Sequence, residues 1–147
     1  MRSLWLFFLS IILFLPILLG VEQCRAPLEP IGPPGITEKV ILVQGVEITF
    51  LFAGERLFEI SARDLNEGVW GYLAVSQITQ EGQIKRVLYR NTAPLLKHTS
   101  NKAKIENGPI KGEEVLIEVK FVGLPGLSRP APFKGVYVLG EDDVIPA

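Results

Sequence analysis

The feature that most constrains this chain is a hydrophobic period of two. Val46, Ile48, Phe50 and Phe52 alternate with Glu47, Thr49 and Leu51, and Val115, Ile117, Val119 and Phe121 alternate with Leu116, Glu118, Lys120 and Val122. Successive side chains of a strand point to opposite faces, so this spacing predicts strands with one buried face. Further strand-like runs cover 39–43, 57–62, 69–79, 83–91, 102–106 and 134–139. Turn residues separate them: Ala53-Gly54-Glu55, Asn66-Glu67-Gly68, Gln80-Glu81-Gly82 and Asn107-Gly108. Pro94 argues against a long helix across 91–100.

About eight short strands with a turn every eight to twelve residues predict an all-β fold, a single antiparallel β-sandwich or a small barrel. The dimensions resemble an immunoglobulin-like sandwich. The cysteine pair and tryptophan spacing of antibody domains are absent, so the resemblance is one of architecture only. Cys24 is the only cysteine, so no internal disulfide supports the domain and stability must come from a packed core. The chain is rich in Val, Ile, Leu and Phe and carries a net charge of −1, which excludes a disordered polymer and offers no bulk basicity for nucleic acid.

Before the strands lies an apolar run, Leu4 to Leu19, with Arg2 ahead of it and no further charge until Glu22. It reads as a hydrophobic helix serving as a signal peptide or membrane anchor. The chain is therefore expected to be exported to the cell envelope or the extracellular space, and to touch the membrane through Leu4–Leu19 if uncleaved. Cleavage, retention and a lipid on Cys24 are three readings of this terminus. Pro27, Pro30, Pro33 and Pro34 then form a semi-rigid spacer. The expected organisation is a signal or anchor at 1–20, a Pro-rich linker at 21–36 and a β-sandwich domain at 37–147.

Charge is unevenly placed. From Gly82 to Ile105 there are six bases and no acid, whereas Val21 to Glu81 carries nine acids and four bases. The two runs 69–79 and 83–91 read as one hairpin. If Gln80-Glu81-Gly82 is a three-residue loop, Gly82 takes a left-handed conformation and Thr79 opposes Gln83. Counting outward pairs Ile78 with Ile84, Ser76 with Arg86, Ala74 with Leu88, and Tyr72 with Arg90. Leu73, Val75, Val87 and Tyr89 then face the core, and the other face gathers Trp70, Tyr72, Arg86 and Arg90. Aromatic rings beside arginines stack on and hydrogen-bond planar, saccharide or anionic groups, so these four are the candidate binding residues.

Catalytic and metal signatures do not stand out. His98 is the only histidine, which excludes HExxH and multi-histidine zinc sites. Neither GxSxG, a phosphate-binding GxxxxGK[ST] nor GxGxxG occurs, and Glu141-Asp142-Asp143 reads as a solvated acidic tail. No cofactor or metal is expected. The expected function is a non-enzymatic binding or interaction module whose partner is an envelope protein or an anionic or glycan ligand. A structural or assembly component pairing through a strand edge is the first alternative, and a small secreted hydrolase is the second.

Overall fold

In the computed structural model, residues 35–123, 126 and 128–147 are described; the hydrophobic segment Leu4–Leu19, Cys24 and most of the Pro-rich linker lie outside them. Nine strands and no helix occur among the described residues: β1 (Ile36–Val43), β2 (Val46–Ala53), β3 (Arg56–Asp64), β4 (Val69–Ile78), β5 (Ile84–Arg90), β6 (Asn101–Lys104), β7 (Glu114–Gly123), β8 (Phe133–Val138) and β9 (Val144–Pro146). All eight strands expected from the periodicity are present. The ninth, β9, is three residues that pair with β8, too short to show a period of its own.

The strands divide into two antiparallel sheets rather than closing into one barrel, with orders β1-β2-β3-β6 and β5-β4-β7-β8-β9. Their apolar faces share one cluster of buried side chains, giving a sandwich-like all-β fold. Val46, Ile48, Phe50 and Phe52 of β2 supply one side, and Val115, Ile117, Val119 and Phe121 of β7 the other. Across the interior the Phe50 and Tyr137 rings stack with centroids 5.1 Å apart. Each such side chain contributes about 1.5–3 kcal/mol on burial, which is how a domain without an internal disulfide offsets its chain entropy.

The β4–β5 hairpin agrees with the sequence at its tip and departs from it beyond. Gly82 has φ of 82°, the Thr79 N–H donates to the Gln83 carbonyl at 2.8 Å, and Ile78 faces Ile84. After that pair the register shifts twice. Gln77 faces Arg86, Ser76 faces Val87, Val75 faces Tyr89 and Ala74 faces Arg90, in place of the expected Ser76–Arg86, Ala74–Leu88 and Tyr72–Arg90 pairs. Lys85 and Leu88 are the extra residues of two β-bulges on β5. Val87 is consequently exposed rather than in the core, and Leu88 is buried instead. An edge strand accepts such insertions because no neighbour on its free side has to match them.

Candidate functional site

The outer face of the five-stranded sheet is built on β4, whose residues alternate between core and solvent. Val69, Leu73 and Val75 are buried in the core, so Trp70, Tyr72, Ala74 and Ser76 lie on the opposite side of the strand, where Ser76 is itself covered. Opposite them on β7 stand Val122, Lys120, Glu118 and Leu116, and Arg90 of β5 stands opposite Ala74. Ala74 is a short side chain ringed by long ones. The result is a depression of about 360 Å³ lined by Tyr72, Leu73, Ala74, Arg90, Asn91, Glu118 and Lys120.

Trp70 lies one rung further along this face, 54% exposed, opposite Val122. A large aromatic ring left half in water presents apolar surface to whatever reaches that face. Arg90 and Lys120 take part in none of the three ion pairs formed among the described residues, which are Lys39–Asp142, Arg63–Glu47 and Lys97–Glu67. Their donors therefore have no fixed carboxylate to satisfy them.

Asn91 positions this cleft. Its Oδ1 accepts from the Leu73 N–H at 2.7 Å, and its Nδ2 donates to the carbonyls of Gly71 at 3.2 Å and Ala93 at 2.7 Å. The carboxamide stands in for a peptide group where β5 ends, continuing the ladder by one rung. Gly71 is demanded by its surroundings: a Cβ there would sit 2.5 Å from Oδ2 of Asp64. Asp64 is itself buried, with Oδ1 held by the Asn66 backbone N–H at 2.9 Å and side-chain amide at 2.8 Å.

Of the four candidate residues, the structure brings together Trp70, Tyr72 and Arg90 on the outer face and separates Arg86 from them. The first bulge turns Arg86 to the inner rim beside Gln77. Glu118, Lys120 and Asn91 line the cleft without having been singled out in the sequence. Alternation put Glu118 and Lys120 on the polar face of their strand, but only the pairing of β7 with β4 places them here.

His98 is exposed in the segment before β6. Among the described residues no group of three or more His, Cys, Asp or Glu converges to hold a metal ion. No protein-family profile, curated protein or solved structure matches this chain.

Proposed function

We propose that this chain is an exported, non-enzymatic binding module of the cell envelope or extracellular space, taking an anionic or saccharide ligand on the outer face of its five-stranded sheet. One observation carries the reading: an exposed Trp70 flanks a depression walled by Tyr72, Glu118 and two cations, Arg90 and Lys120, that have no ion-pair partner among the described residues. Aromatic faces stack on sugar rings, and arginine forks onto carboxylate or sulfate oxygens. Export rests on the hydrophobic segment Leu4–Leu19 and its Arg2. Mass spectrometry of the mature N-terminus tests that part: a start at Val21 supports a signal peptide, and an intact Met1 overturns cleavage.

The binding test is an array of neutral, uronic-acid and sulfated glycans. The chain should retain one or more acidic glycans, and Trp70→Ala combined with Arg90→Gln should reduce retention at least tenfold at unchanged melting temperature. Equal retention by the double variant would remove this face from consideration.

A second reading, assembly through a strand edge, is favoured by β1. The other three edge strands are guarded against pairing. Two bulges and three bases protect β5, two lysines and a length of four residues protect β6, and Pro146 and a length of three protect β9. β1 runs eight residues in unbroken register with β2 and exposes Ile36, Val40 and Leu42. Sedimentation should then show self-association that Leu42→Lys abolishes; a monomer at all concentrations would dismiss the reading.

A further inference from the structure

The bulge that removes Arg86 from the outer face delivers it to a different place. β-Bulges re-aim side chains, and they are over-represented beside functional sites. On the inner rim of β5, Arg86 donates from Nε to Oε1 of Gln77 at 3.2 Å. Its Nη1 and Nη2 donate to the carbonyls of Glu106 at 3.1 Å and Asn107 at 2.6 Å. Arg56, at the start of β3, donates from Nη1 to the Gly108 carbonyl at 2.7 Å. Both guanidiniums are thus held by one turn of backbone. That turn is seated directly on β3, since a Cβ at Gly108 would fall 2.0 Å from the Leu57 carbonyl oxygen.

These contacts leave donors over on both arginines, because a guanidinium has about five N–H groups. Lys85, the extra residue of the first bulge, joins them at the rim of a depression of about 450 Å³ lined also by Gln77, Asn107, Ile110 and Glu113. None of Arg56, Lys85 and Arg86 is in any of the ion pairs among the described residues. Glu113 is the one acid in the lining, and its Oε2 is occupied by the Ile110 N–H at 2.6 Å. Three cations against one carboxylate leave a local charge of +2, which matches a tetrahedral dianion. Guanidiniums fixed in advance bind an oxyanion with less ordering cost than free ones. The volume exceeds what a bare oxyanion needs and falls within the range of small-molecule sites.

We propose that this depression is a second ligand site, one that takes a phosphate monoester carried on a sugar-sized group. It is independent of the outer-face reading. From Trp70 to Gln77 along β4 is about 23 Å at roughly 3.3 Å per residue, and Gln77 lies on the inward side.

The test is a chemical-shift titration of the full-length chain in detergent micelles and a phosphate-free buffer, with glucose 6-phosphate, inorganic phosphate and glucose in separate arms. Glucose 6-phosphate should perturb the amides of Lys85, Arg86, Asn107 and Gly108 saturably, and glucose should not. Inorganic phosphate should bind more weakly than glucose 6-phosphate, and equal binding would overturn the sugar-sized part of the proposal. Lys85→Glu, at an exposed position with no hydrogen bond to lose among the described residues, should weaken binding at least tenfold with an unchanged melting temperature. Lys102→Gln, on the neighbouring β6, should leave it unchanged. The proposal is overturned by shifts spread evenly over exposed lysines, by no shift at these four amides, or by a Lys85→Glu variant that binds as tightly as the parent.

Discussion

Replacing Asn91 by alanine removes three hydrogen bonds from the point where β5 stops and β4 continues. Two of its three partners keep an alternative. The Gly71 carbonyl still accepts from the Leu95 N–H at 3.0 Å, and the Ala93 carbonyl borders the half-exposed end of the strand. The Leu73 N–H keeps none, and Leu73 is 1% exposed. Two ordinary bonds cost about 1 kcal/mol each, and a buried orphaned donor costs about 1–3 kcal/mol. Together they predict a loss of about 3–5 kcal/mol. At about 4 °C per kcal/mol for a domain near this size, the melting temperature should fall by roughly 12–20 °C.

Aspartate at the same position separates the contributions. It retains an acceptor for Leu73 but sets a carboxylate oxygen against the Gly71 and Ala93 carbonyls. Its folded-state pKa is therefore raised above the unfolded value. A raised carboxyl favours the native state when protonated, so the penalty of Asn91→Asp should be largest near neutrality and shrink as the pH falls toward the ordinary aspartate range. Urea denaturation followed by circular dichroism at neutral and acidic pH reads both effects. A loss under about 1 kcal/mol for Asn91→Ala, or a pH-independent penalty for Asn91→Asp, would show that Asn91 does not act as a peptide surrogate.

Other perturbations probe separate parts of the fold. Gly71→Ala should cost about 2–3 kcal/mol through overpacking against Asp64, and less in an Asp64→Ala background. A double-mutant cycle that comes out additive would contradict the contact. Gly108→Ala meets a backbone oxygen rather than a side chain, so it should cost more than Gly71→Ala and also abolish the chemical-shift response to glucose 6-phosphate. Tyr89→Phe should be neutral or stabilising in thermal denaturation, because the buried hydroxyl has no partner among the described residues. Tyr137→Phe should cost about 1 kcal/mol, losing a 2.7 Å bond to the Glu141 carbonyl. Burial pushes the Tyr89 and Tyr137 hydroxyls up to about 12. Both favour the protonated native state, so stability should hold below pH 10 and fall between about 10 and 12. A denaturation midpoint flat across that window would contradict the burial.

The candidate face is partly legible in the sequence. Trp70 and Tyr72 fall on the outer face because Leu73 and Val75 alternate with them as core residues, a pattern local to one strand. Alternation also sets Arg86 on that face, but Ile84 to Arg90 contains apolar residues at both parities, Val87 and Leu88, so alternation alone does not reveal an inserted residue. Nothing in the sequence singles out Asn91, since its role depends on strand β4 lying alongside.

What the sequence determined by itself is whatever depends on neighbours in the chain. The strand positions, the Gly82 turn and the inward set of β2 and β7 follow from a period of two and from local backbone sterics. The tertiary structure alone decided which strands pair beyond the β4–β5 hairpin, where β5 admits Lys85 and Leu88, and why a Cβ at Gly71 or Gly108 would crowd its neighbours. Those outcomes turn on contacts between residues distant in sequence: Asp64 against Gly71, Leu57 against Gly108, and Arg86 against the carbonyls of Glu106 and Asn107. Contacts of that kind leave no periodic trace along the chain, and they form only when two sheets close on a common core.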